Sequence, residues 1–156
     1  MAKNTIRVKS YVDVMEEMKA TAIVTPGMLC EEDPAGTQAA PFVKPHSTAE
    51  GNAMPLFAIE DESQGKGIDD NYAVDDKVQV WTANRGDWVY ALLANGETAA
   101  INDDLVSNGD GYLRVHVPDD SGSIQTNAIV ARAKEAVDMS GSSGADPSGR
   151  ILVVAV

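Results

Sequence analysis

Apolar and polar residues alternate with a period of two through much of residues 77–117, KVQVWTANRGDWVYALLANGETAAINDDLVSNGDGYLRVHV. Val78, Val80 and Thr82 alternate with Gln79 and Trp81, and Trp88, Tyr90 and Leu92 alternate with Val89 and Leu93. Alternation rich in β-branched and aromatic residues and cut by turn formers predicts strands. Residues 84–87 (NRGD) separate the first two as a hairpin turn. A third strand begins near Leu105, turns at 108–111 (NGDG) and returns over 112–117. Asn-Gly and Asp-Gly admit the positive φ angles that tight hairpins need. Two hairpins in so short a stretch predict antiparallel β structure.

Upstream, Ile6, Val8, Ser10, Val12 and Val14 fall on one alternating face, with Arg7, Lys9, Tyr11 and Asp13 on the other. This predicts an extended strand or arm over 1–20, in which 15–20 (MEEMKA) adds one helical turn, too short to stand alone. Thr25-Pro26-Gly27 has the order of a type II turn, Pro second and Gly third. Residues 31–40 read as a polar loop. The short strand 42–44 is hemmed by Pro41 and Pro45, which suits an edge or strand ends. Over 54–60, Leu56, Ala58 and Glu60 face away from Phe57 and Ile59. The longest loop, 61–76 (DESQGKGIDDNYAVDD), is acidic, glycine-bearing and aperiodic, the mark of a functional or mobile segment. Residues 126–137 fit either a helix of about three turns or a strand. The strand fits the chain that follows, a Gly/Ser-rich turn over 139–149 and then RILVVAV, a buried final strand. The predicted fold is mainly β: a compact antiparallel β-barrel or β-tulip-like domain over 21–156, with an extended N-terminal arm over 1–20 and at most one short helix.

Length adds that 156 residues suit one domain, able to bury roughly 70% of the surface its unfolded chain exposes. The lone cysteine, Cys30, excludes an internal disulfide and a cysteine-paired zinc site. Charge changes the picture more. Lys and Arg number 12 against 24 Asp and Glu, a formal net charge of −12. Such a surface repels nucleic acid and anionic membrane, so neither is expected as a partner. There is no apolar run of about 18 residues, and MAKNTIRVKS lacks the apolar core of a signal peptide. Synthesis in a cytoplasm without export by that route is expected. Residues 1–19 carry four basic side chains against three acids, whereas 20–156 carry eight against twenty-one. The N-terminal segment is therefore mildly basic and the body acidic. A basic tail of this kind lies on its own body, lies on a neighbour, or is a frayed terminus.

Candidate chemistry is sparse. Gly141-Ser142-Ser143-Gly144-Ala145 misses the nucleophile elbow G-x-S-x-G. His116 sits in an alternating strand and His46 follows Pro45 in a loop, contexts where a histidine is ordinarily structural. Cys30 adjoins Glu31 and Glu32, which disfavour a thiolate. Gln64-Gly65-Lys66-Gly67 lacks the spacing of a phosphate loop. The acid clusters, among them Glu31-Glu32-Asp33, Glu60-Asp61-Glu62 and Asp103-Asp104, lack the EF-hand pattern, and paired acids in turns are mostly solvated. No catalytic, cofactor-binding or metal-ligating residue is assigned. Trp81, Trp88, Tyr90 and Tyr112 would form a stacking surface if exposed, with core packing the plainer alternative.

Several segments resemble the small head-decoration, or capsid cement, proteins of tailed bacteriophages: TPGMLCEEDPAG (25–36), the stretch 43–81, INDDLVSNGDGYLRV (101–115) and the ending 127–156. The resemblance covers roughly 21–156 and rests on the order of turn, long acidic loop, central hairpins and Val-rich final strand. It implies a non-enzymatic virion protein on the outer surface of the capsid. Such a protein is often a homotrimer that bridges neighbouring copies of the major capsid protein. The basic segment would supply the contact through Lys3, Ile6, Arg7, Val8 and Lys9. A carbohydrate- or host-surface-binding β module on the same virion is the alternative.

Overall fold

The computed structural model describes residues 5–9, 14–118, 128–141 and 149–156. It is mainly β, and its sheets are open rather than closed into a barrel. The strands are β1 (Arg7–Lys9), β2 (Val14–Ala20), β3 (Cys30–Thr37), β4 (Ala40–Pro45), β5 (Leu56–Ala58), β6 (Lys77–Thr82), β7 (Trp88–Leu92), β8 (Thr98–Ala99), β9 (Asp104–Ser107), β10 (Leu113–Val115), β11 (Ala131–Ala133), β12 (Val137–Asp138) and β13 (Arg150–Ala155). One sheet has the order β1-β7-β13-β11-β9-β10 and another β3-β4-β2-β6-β5, while β12 and β8 form a small pair. All neighbours are antiparallel except β2 and β4. Among the described residues the only helical turn is the 3₁₀ turn Glu62–Gln64.

The alternation of the sequence explains how the layers stack. On β6, Val78 and Val80 face one way and Trp81 the other, and all three are fully buried. Trp81 and Phe57 of the five-stranded sheet join Val89, Ala91, Leu105, Ile151 and Val153 of the six-stranded one in a core between the two. Val78, Val80 and Ala58 join Met18, Ala20, Val24, Val43 and Tyr72 in a second core, on the opposite face. The β6–β5 end of the five-stranded sheet is thus buried on both faces, which is why β5 (LFA) shows no polar position.

The acidic loop 61–76 closes that second core. Tyr72 is fully buried, its hydroxyl donates to the Ile59 carbonyl at 2.8 Å, and Val24 and Tyr72 exchange backbone hydrogen bonds of 3.1 and 2.8 Å. Thr25-Pro26-Gly27 turns as expected, with the Met28 amide donating to the Thr25 carbonyl at 3.0 Å and Gly27 at φ +93°. The β9–β10 hairpin, the strand at 131–133 and the final strand β13 also form where the pattern placed them.

Three expectations are corrected. Residues 84–87 do not close a hairpin: β6 and β7 lie in different sheets, and the turn carries the chain across between them. Buried Asp87 holds it, accepting from the Asn84 amide at 2.8 Å, while the Ala155 amide donates to the Asp87 carbonyl at 2.9 Å. Residues 15–20 form no helical turn but belong to β2, in register with β6 from Val14–Thr82 to Lys19–Lys77. Much of the expected loop 31–40 is strand β3, whose pairing to β4 runs from Cys30–Pro45 to Thr37–Ala40.

Candidate functional site

The N-terminal segment was the expected contact with a partner. Lys3 lies outside the described residues. Arg7, Val8 and Lys9 form β1, a short edge strand on β7. Ile6 is not available as a surface contact: it is fully buried in the core between the sheets. Its amide donates to Glu60 Oε2 at 3.0 Å, and its carbonyl accepts from the Tyr90 amide at 2.8 Å. Thr5 donates its hydroxyl to the other oxygen of Glu60. The segment expected as a separate arm is therefore pinned to the body at 5–9, and at 14–20 it is a central strand. An isoleucine alternating with basic residues looked like an exposed ribbon; the buried side of that ribbon supplies a core residue.

The four aromatic candidates do not assemble into one platform. Trp81 is fully buried, with its indole N–H given no hydrogen-bond partner. Tyr112 packs against the second core. Trp88 and Tyr90 are half-buried and share a face of β7. Lys134 Nζ lies over the Trp88 ring at 5.5 Å and the Arg150 guanidinium over Tyr90 at 5.9 Å.

The acid clusters are used locally. Among the described residues no group of three or more His, Cys, Asp or Glu is arranged to hold a metal ion. Asp61 caps the 3₁₀ turn, accepting from the Ser63 hydroxyl, from the Ser63 amide at 3.1 Å and from Gln64 Nε2 at 2.5 Å. The Ser63 hydroxyl first, then Gln64, outweigh burial and hold its carboxyl below the usual carboxylate range. A lowered native pKa contributes stability that is present above the unfolded value, about 3.9, and is lost as pH falls through the native one. Asp61→Ala is accordingly expected to cost about 1 kcal/mol at neutral pH, the worth of a capping side chain. The gap between variant and parent, followed by urea unfolding, should shrink as pH falls below about 4. A gap that is constant with pH would show that the charge of Asp61 has no part.

One arrangement carries the outline of a nucleophile and base, and no motif announced it. His46 Nδ1 lies 2.7 Å from Ser107 Oγ, and His46 Nε2 lies 3.2 Å from the Asn52 carbonyl and 3.8 Å from Glu31 Oε2. A carbonyl only accepts, so Nε2 carries a proton, and on a neutral ring Nδ1 accepts from the Ser107 hydroxyl. The Gly109 amide donates to Ser107 Oγ at 3.1 Å. Ser107 is fully buried and His46 is 2% exposed, so no substrate reaches the oxygen. The pair is a staple: it ties the chain after β4 to the end of β9, 61 residues away.

Cys30 is also enclosed. Burial, and after it the charge of Glu31, pushes its thiol pKa to about 12. The sequence predicted the direction from the neighbouring acids; burial is the larger cause. The folded protein is expected to resist maleimide at neutral pH and to take up one equivalent in urea. Stoichiometric labelling of the folded protein would show that this core opens readily.

No protein-family model matches the chain, and no curated protein matches it. Among solved structures, its fold is similar to the head fiber gp8.5 N base in bacteriophage phi29, with a TM-score of 0.58 and 12% sequence identity, over 93% of this chain and 95% of that one. At that identity the likeness is one of fold.

Proposed function

We propose that this protein is a structural component of a bacteriophage particle, carried on the outer surface of the head and attached to the major capsid protein. The observation that carries the proposal is the fold match to a phage head fiber base over nearly the whole of both chains. The sequence resemblance to decoration proteins points to the same place on the particle. An acidic surface suits a component that must not bind the nucleic acid or membranes around it. On this reading the domain acts as a homotrimer that bridges neighbouring capsid subunits and so stabilises the shell, many weak contacts acting together. Lys3, Arg7, Val8 and Lys9 are the proposed capsid contact, with Ile6 anchoring them from inside. Strand β1 ends its sheet, so a capsid strand added beside it would complete main-chain hydrogen bonds.

The test is co-sedimentation of the purified protein with mature, DNA-emptied heads of the phage that encodes it. Saturable binding at a fixed ratio to the major capsid protein, with a raised disruption temperature of the shells, is the expected result. Failure to bind, or binding without any gain in shell stability, removes the cement role. Binding to a glycan array by the free domain would favour a carbohydrate-binding module instead.

A further inference from the structure

We propose that the slot between β2 and the β3–β4 hairpin is a docking site for an extended segment of a partner protein bearing lysine or arginine at alternate positions. The slot exists because of one proline. In the parallel pairing of β2 with β4, Lys19 is opposite Phe42 and Ala20 opposite Val43, and there the ladder stops. The Thr21 amide donates to the Val43 carbonyl at 3.0 Å, which fixes the phase: the backbone groups of odd-numbered β2 residues point at β4. One step back, the Glu17 carbonyl would require the N–H of residue 41. That residue is Pro41, which has none. Beyond it β2 and the hairpin meet in no further pairing, while β2 continues beside β6 as far as Val14–Thr82.

Two recesses of about 620 and 480 Å³ flank the gap on opposite faces of the sheet and share Met18, Pro41 and Phe42, and we read them as the two mouths of the slot. Each is within the size of clefts that hold ligands. The mouths differ in charge. At the smaller one, Lys77 pairs with Glu17, Lys19 pairs with Asp75 at 2.7 Å, and Lys19 Nζ lies 5.6 Å from the centre of the Phe42 ring. Charges there are balanced. At the larger one stand Glu16, Glu32 and Asp33 with no basic residue in the lining. Asp33 is engaged by the Thr21 hydroxyl at 2.8 Å and the Ala35 amide at 2.9 Å. Glu16 and Glu32 are exposed and have no ion pair among those formed by the described residues.

By register, Glu32 is opposite Val43 and Val43 opposite Ala20, so both glutamates lie on the face that carries Met18 and the second core. They flank a buried methionine at the place where a strand is missing. An entering strand would meet the Glu17 backbone edge-on, rest alternate apolar side chains against Phe42 on one face, and send the others past Met18 towards Glu16 and Glu32 on the opposite face. The chemistry selects a cationic, extended peptide, because a neutral one leaves the carboxylates unanswered and an acidic one is repelled. Inward-pointing charges also protect sheet edges from unwanted pairing, and the experiment separates that role from recognition. The proposal does not depend on the capsid assignment.

The probe is a ten-residue acetylated peptide of alternating lysine and threonine, with a glutamate–threonine peptide as control, titrated into the full-length protein and followed by amide NMR shifts. Shifts concentrated at Glu17, Met18 and Phe42 are expected, with none from the control. Glu16→Gln with Glu32→Gln should weaken binding at least tenfold. Pro41→Ala restores the missing donor without touching charge, and it too should weaken binding as the ladder closes. Shifts spread over the whole acidic surface, or equal affinity in both variants, would overturn the proposal. So would a parent protein that is already an oligomer with a protected Glu17 amide and no affinity for the peptide, since a second copy would then fill the slot.

Discussion

Arg150→Met is expected to lower the unfolding free energy by about 3 kcal/mol, since it strips partners from two backbone carbonyls at roughly 1–3 kcal/mol each. Arg150 opens β13 at 5% exposure and, like Asp61 and Asp87, is a buried charged residue. Its Nη1 donates to the Pro26 carbonyl at 2.8 Å, and its Nη2 donates to the Ile68 carbonyl. One side chain thus ties the last strand to the type II turn and to the acidic loop, across 124 and 82 residues of chain. The ion pair with Asp69, at 3.3 Å, matters less, because the Asp69 side chain is 68% exposed and water screens it. Methionine fills much of the same space but donates nothing. For a chain of this size the loss corresponds to a fall in Tm of roughly 6–12 °C. Gly27 supplies an internal check. A Cβ there would lie 2.4 Å from Arg150 Nη1, and its φ of +93° disfavours any side chain. Gly27→Ala should therefore be strongly destabilising in the parent and measurably less so beside Arg150→Met, where the flexible methionine can move aside and the backbone strain and the 3.1 Å approach to the Tyr90 carbonyl remain. Urea unfolding of the four proteins measures both effects. An Arg150→Met variant within about 0.5 kcal/mol of the parent, the range of an ordinary surface change, would show that the carbonyls find other partners.

What the sequence disclosed and what it hid divide along a physical line. Strand character came through where one face is apolar, as in β6 and β7, because burial itself writes the period of two, and in β13, where a continuous apolar run marks it. It failed where the partner strand supplies the reason for being extended. The residues MEEMKA are good helix formers, yet they are held as β2 between β4 and β6. The polar run of β3 buries little and is a strand because β4 lies beside it. The turn at 84–87 was legible as a turn, but local turn chemistry does not say which sheet the next strand joins. Site geometry was less visible still. The Ile6–Glu60 and His46–Ser107 contacts span 54 and 61 residues, and the slot beside Glu17 depends on the phase of a two-residue parallel pairing. Pro41 reads as a strand-end signal; its consequence appears only once Lys19 is set against Phe42.

Deleting residues 1–9 tests whether the N-terminal segment is tether or structure, and the expected result is a loss of about 4 kcal/mol. Removing a buried isoleucine side chain costs about 2–5 kcal/mol, and Ile6 has no exposed surface at all. The deletion also takes the acceptor of the Tyr90 amide and both partners of Glu60. Glu60 is only half-buried, so water recovers part of that loss. A fall in Tm of roughly 8–16 °C should follow. Two further variants separate the roles of the segment. Ile6→Ala should reproduce most of the instability, yet still bind heads at a temperature where it is folded. Lys3→Ser, Arg7→Ser and Lys9→Ser together should weaken head binding, read at a temperature where the variant is folded, if these cations grip the capsid. A deletion that melts with the full-length protein would mean that Ile6 is not a core residue in solution. A triple variant that binds heads undiminished would move the contact away from this segment, leaving it the purely structural task of closing the core beside β7.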